Sequence, residues 1–160
     1  MSDEANQFLS EHVALLLQSF RRRLGYALVD DALPIVEQAQ LVWTAPFVVV
    51  SHNTAPDPRF NYGNQAALAL FAMSWEEFTA LPSRFSAPPL ARDEREALLA
   101  AVTRQGYVAN NRGLRIARTG RRFTMEDGIV WNVDDADQRA YGQAATFSRW
   151  TFLTPPPVDP

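Results

Sequence analysis

The 160-residue chain contains no cysteine and no lysine; all 15 of its basic residues are arginine. Without thiols there is no disulfide, thiolate metal site, cysteine nucleophile or cysteinyl flavin adduct. Without lysine there is no Schiff-base lysine, although the arginine bias itself reads as compositional rather than functional. Apolar runs such as Val13–Leu17 and Phe47–Val50 fall far short of the roughly 20 residues a membrane span needs. The N-terminus also opens acidic rather than basic. These features predict a soluble, cytoplasmic protein with no membrane partner. A net charge of -3 gives no electrostatic case for nucleic-acid binding. What is present, 47% hydrophobic and 21% charged residues, suits one domain burying roughly two-thirds of its unfolded surface.

Val13, Leu16, Leu17, Phe20 and Leu24 recur at helical spacing, so Glu4 to Leu24 is predicted as an amphipathic helix with Arg21–Arg23 in its last turn. A short second helix is expected after Pro34. The continuous apolar run Phe47–Val50 marks a strand covered on both faces, and the N-terminal helix can supply one cover. Asp57-Pro58 is turn chemistry, and Arg59–Tyr62 alternates as a half-buried strand does. Asn64 offers an N-cap for a helix over Gln65–Phe71, and Ser74 with Glu77 forms a capping box for the next. After the prolines at 82, 88 and 89, a helix is predicted over Arg92–Gln105 with Glu94, Leu98, Ala101 and Val102 on one face, stopped by Gly106.

The remainder reads as a three-stranded meander: Gly113–Arg118, Arg121–Val133 and Arg139–Trp150. A two-residue turn at Thr119-Gly120 pairs Ile116 with Phe123, Leu114 with Met125 and Arg112 with Asp127; a three-residue turn would set Ile116 against Arg122 and is disfavoured. Continuing that register puts Trp131 opposite Tyr141 and Met125 opposite Phe147. One core face then carries Leu114, Ile116, Phe123, Met125, Ile129, Trp131, Tyr141, Ala145 and Phe147, with Gln143 its uncharged polar exception, unless a bulge at Gly128 breaks the alternation. From Thr154 the proline-rich end is expected to be an extended tail.

Two strands, short helices, a longer helix and three strands is the order of a PAS domain. The strings FNYGNQAALALF, LPSRFSAPP, TGRRF, IVWNV and GQAATFSRW resemble the MEKHLA domain family of the stand-alone bacterial type. That resemblance implies an α+β, PAS-like fold: a five-stranded antiparallel sheet, short helices on one face and an N-terminal helix on the other. It implies three segments: a helical extension over 1–42, the PAS-like domain over 43–151 and a flexible tail over 152–160. It brings no established ligand or catalytic residue.

The candidate ligand-binding residues are Gln143, Trp131, Tyr141, Phe71, Trp75, Arg112 and Asp127. Gln143 could bond a ligand in a cavity between sheet and helices, against the blander reading of a satisfied structural amide. The aromatics could line a pocket or simply fill a core, and a filled core would leave no room for a large cofactor. Arg112 with Asp127 could hold a polar ligand at the sheet edge, although a solvated strand edge accounts for Arg112, Arg115, Arg118, Arg121 and Arg122 as a group. His12 and His52 have no companion carboxylates at ligand spacing, so they read as surface or loop residues and no metal is expected. Arg92–Gln105 holds no histidine for a haem iron, and no cofactor is expected.

These readings predict a non-catalytic sensory or protein-interaction domain, binding a small apolar ligand and forming a homodimer through its N-terminal helix. The alternative is a small enzyme of the ketosteroid-isomerase-like cone fold using Asp127, buried beside Trp131, for proton transfer. Strand order separates the two, because the cone fold has no strand pair ahead of a cluster of short helices.

Overall fold

The computed structural model describes residues 4–154, so the tail expected beyond Thr154 lies outside the described residues. The chain runs α1 (Ser10–Leu24), α2 (Ile35–Thr44), β1 (Val48–His52), β2 (Phe60–Gly63), α3 (Gln65–Phe71), α4 (Trp75–Thr79), α5 (Arg92–Gln105), β3 (Tyr107–Ile116), β4 (Arg122–Asp134), β5 (Ala140–Phe147) and β6 (Arg149–Phe152). The first helix starts later than its periodicity suggests. Gln7, Phe8 and Leu9 have positive φ, which breaks the helix before Ser10.

The sheet order is β2-β1-β5-β4-β3, with β6 paired to β4. The early strands therefore join the late ones in one antiparallel sheet, with β1 between β2 and the central strand β5. All five residues of β1 are buried, as a strand covered on both faces requires. One face packs against α3, α4 and α5 through Val48, Val50, Phe123, Met125 and Phe147. The other packs against α1 and α2 through Val49, Tyr62, Trp131, Val133 and Ala144.

Asn64 ties these layers together. Its Oδ1 caps α3 by accepting from the Ala67 amide at 3.1 Å and also accepts from the Val49 amide; its Nδ2 donates to the carbonyls of Val42 and Phe47. The side chain is fully buried. Asn64→Ala strands two backbone carbonyls and two amides at once and is expected to cost about 3 kcal/mol, against about 1 kcal/mol for removing the exposed cap in Ser74→Ala. Urea denaturation of the two variants side by side measures the difference.

The expected meander register is wrong by one residue at the first turn. The pairs are Ile116↔Arg122, Arg115↔Phe123, Leu114↔Thr124 and Gly113↔Met125, the register of the disfavoured longer turn, which Gly120 closes at φ 89°. The second turn differs as well: Trp131 faces Ala144, not Tyr141, and Met125 faces Trp150 of β6, not Phe147. Asp127 takes positive φ just before Gly128, and the β3 pairing shifts on either side of Asn111, Gly128's partner. This bulge reverses the alternation of β4. Phe123 and Met125 face α3 and α4, whereas Ile129 and Trp131 face α1. Arg112 and Asp127 are not paired; Asp127 is exposed and meets Arg149 at 2.8 Å.

Candidate functional site

Between α5 and the inner face of the sheet lies a cavity of about 50 Å³. Its walls are largely apolar, with Val50, Phe71, Leu98, Met125, Val130 and Phe147 among them, and its polar lining includes His52, Gln143, Arg95 and Arg115. The longer helix lines it with Arg95, Leu98 and Leu99, and buried Val102 continues the same i, i+3, i+4, i+7 stripe, which is displaced by one residue from the one expected. Glu94 is exposed and Arg95, 9% exposed, takes its place.

The polar end is an ordered network. His52 Nε2 lies 3.1 Å from Gln143 Oε1 and Nδ1 lies 2.9 Å from Ser83 Oγ, an arrangement satisfied by a neutral ring that donates from Nε2 and accepts at Nδ1. Gln143 Nε2 donates in turn to Asn132 Oδ1 and Thr103 Oγ1, binding β5 to β4 and α5. Burial, with the nearby Arg95 cation adding to it, lowers the His52 pKa to about 4, outweighing the opposing bond to Gln143. His52 is therefore a buried structural histidine, not a surface one.

His12 is also held in place. On α1, its Nδ1 lies 2.7 Å from the Tyr141 hydroxyl and its Nε2 3.0 Å from Ser51 Oγ, which donates to Asn61. Its ring stacks on Tyr62, and burial lowers its pKa to about 4. At the other end of α1, Arg22 and Arg23 both reach Asp134, and Ser19 Oγ accepts from the Asp134 amide. The N-terminal helix is thus fastened to its own sheet at both ends.

Of the seven candidate residues, Gln143 and Phe71 meet in the inner cavity. Trp131, Tyr141 and Trp75 lie in the opposite layer: Trp131 is fully buried against Phe20, Tyr141 bonds His12, and Trp75 packs on Trp43 and Tyr62. Tyr141 falls at a pairing shift between Val133↔Gly142 and Asp134↔Ala140, which accounts for its leaving the Gln143 face. Arg112 and Asp127 stay apart at the surface. His52, Arg95 and Arg115 were missed. An arginine at 95 in phase with Leu98, Leu99 and Val102 was the legible signal; Arg115 was hidden by the misplaced register and is buried at 9% exposure rather than on a solvated edge.

Sheet order, the helices packed on the inner face and the cavity between them define a PAS-like domain. The structure resembles the PAS domain of a protein from Colwellia psychrerythraea, with TM-score 0.61 and 13% identity over 74% of this chain and 95% of that one. It also resembles a light-oxygen-voltage domain studied with a flavin analogue (TM-score 0.58, 15% identity, 74% and 85% covered). A third neighbour is an RNA-binding light-oxygen-voltage receptor (TM-score 0.60, 21% identity), of which the match covers 34% while taking in 76% of this chain. A search of curated proteins finds no match. The MEKHLA domain model matches residues 10–152, and the chain belongs to that family. The cone-shaped alternative is set aside, because two strands precede the short helices and Asp127 is exposed.

Proposed function

We propose that this chain is a non-catalytic sensory or protein-interaction domain whose inner cavity binds a small ligand. The observation that carries the reading is the cavity itself: a pocket between α5 and the sheet, apolar over most of its wall and polar at one end, where Gln143 connects β5, β4 and α5. A ligand touching that end would alter bonds shared by three elements, which is how occupancy could be passed to the surface. About 50 Å³ corresponds to roughly four water-sized volumes, a scale for a small molecule rather than a ring cofactor. Cytoplasmic location and the lack of a nucleic-acid partner belong to the same reading and rest on composition. No helix of the described residues is long and apolar enough to cross a membrane.

Homodimerisation through α1 is part of the proposal in a narrower form. Val13, Leu16, Leu17 and Phe20 are buried beneath the helix, so a dimer would have to use its polar side or exchange α1 between protomers. Native mass spectrometry of freshly purified protein tests both points. The expected spectrum contains a dimer and a small retained mass lost on collisional activation; monomer alone removes the dimer, and turnover of a small substrate by the purified protein removes the non-catalytic reading.

A further inference from the structure

Two guanidinium groups share the cavity, and no carboxylate of the described residues pairs with either. Arg95 and Arg115 both line it, each is 9% exposed, and neither forms an ion pair with any described residue. Of the roughly five N–H donors an arginine carries, Arg115 uses one, from Nη1 to the Leu114 carbonyl at 2.8 Å, and Arg95 uses none toward the described residues. Arg115 folds over Gly113, where an added Cβ would stand 2.8 Å from its Nη1. Glu94 and Glu96 lie near enough to be felt by Arg115 and Arg95 respectively, but neither closes a salt bridge.

Such an arrangement is costly. An unpaired buried charge is among the least favourable groups a fold can hold, and a second of the same sign beside it raises the cost. Burial is the main cause that lowers each arginine's pKa to about 10, and the Arg95 cation contributes to the shift of Arg115. A bound anion reverses the sign of this balance, because paired N–H donors suit the two oxygens of a carboxylate.

We propose that the cavity is an anion site that takes a short-chain organic carboxylate, its oxygens held by Arg95 and Arg115 and its alkyl end against Phe71, Met125 and Phe147. This rests on the sensory reading and replaces the apolar ligand with an amphipathic one. Acetate, with four heavy atoms, is a probe of this class on the scale of the cavity.

Acetate and acetamide, which share shape but not charge, are titrated at constant ionic strength against the full chain while the Met125 methyl resonance is followed by NMR. Expected are saturable shifts with acetate, none with acetamide, and weaker acetate binding by at least tenfold in both Arg95→Met and Arg115→Met. Without acetate, Arg95→Met is expected to raise Tm, since it exchanges an unpaired charge for a methionine; a purely structural arginine would lower it. Equal response to acetamide overturns the anion site and leaves the sensory reading standing. Tighter binding of nitrate than of acetate overturns the organic carboxylate. If neither probe reaches Met125 and native mass spectrometry finds no retained molecule, both readings fall. The acetate and acetamide comparison on the unmodified chain decides the matter even if a variant does not fold.

Discussion

Trp131→Ala is expected to lower the unfolding free energy by about 4 kcal/mol, a loss on the order of 10 °C in Tm for a chain of this length. Trp131 is fully buried, packs edge-on to Phe20 at 4.9 Å between ring centres, and donates from its indole nitrogen to the Leu16 carbonyl at 3.1 Å. Truncation opens a cavity between α1 and β4 and leaves that carbonyl without its indole donor, so transfer and desolvation costs add. Its position also sets what the substitution leaves alone. Because the Asp127–Gly128 bulge turns Trp131 toward α1, the inner cavity has no contact with it. A melt followed by circular dichroism gives the stability loss. Acetate titration of the same variant below its transition is expected to match the unsubstituted chain, whereas loss of binding there would place Trp131 in the ligand pocket.

Acidification is expected to destabilise the fold steeply between about pH 6.5 and pH 4. His12 and His52 bind protons near pH 4 in the fold and near pH 6.5 when exposed. Between those values the unfolded chain carries more protons, so each step downward in pH favours unfolding; above pH 6.5 both states are neutral and the effect vanishes. A difference of that size amounts to about 3 kcal/mol per histidine at the acid limit. Protonation would leave Ser83 Oγ and the Tyr141 hydroxyl facing a ring that no longer accepts a hydrogen bond, loosening the cavity wall and the α1 fastening together. Asp57 acts in the same direction only below this window, since Arg84 holds its carboxyl under the usual range. Urea midpoints measured from pH 7.5 to 4.5 should fall with pH, and His12→Gln and His52→Gln should each flatten the dependence. An unchanged slope in both variants contradicts the assignment.

Local chemistry was the most legible part of the fold. The Asn64 cap, the Ser74–Glu77 box, the Arg92–Gln105 helix and its Gly106 stop are all formed as the residue types dictate. Each depends on neighbours within a few positions. Joining of β1 to β5 followed from the burial of β1 on both faces and from the family resemblance. Register was not legible, because the apolar pairing that favoured Ile116 with Phe123 ignored a buried arginine at 115; the bulge raised as a condition at Gly128 is present at Asp127–Gly128 and breaks the alternation beyond it. One misplaced residue on a period of two sends every later side chain to the opposite face. Hence Gln143 and Phe71 were placed with the cavity, while Trp131 and Tyr141 were assigned to a face they do not occupy. The histidines were misjudged for a related reason: their partners, Ser51, Tyr141, Ser83 and Gln143, are distant in the chain, and none is a carboxylate.

Intermolecular NOEs from the methyl group of bound acetate measure most directly whether ligand enters between α5 and the sheet. Cross-peaks to the Met125 methyl and the Phe147 ring, with none to the Trp131 indole, are the predicted result. Cross-peaks to Trp131 and Leu16, or to the exposed arginines of the β3–β4 turn alone, would contradict it.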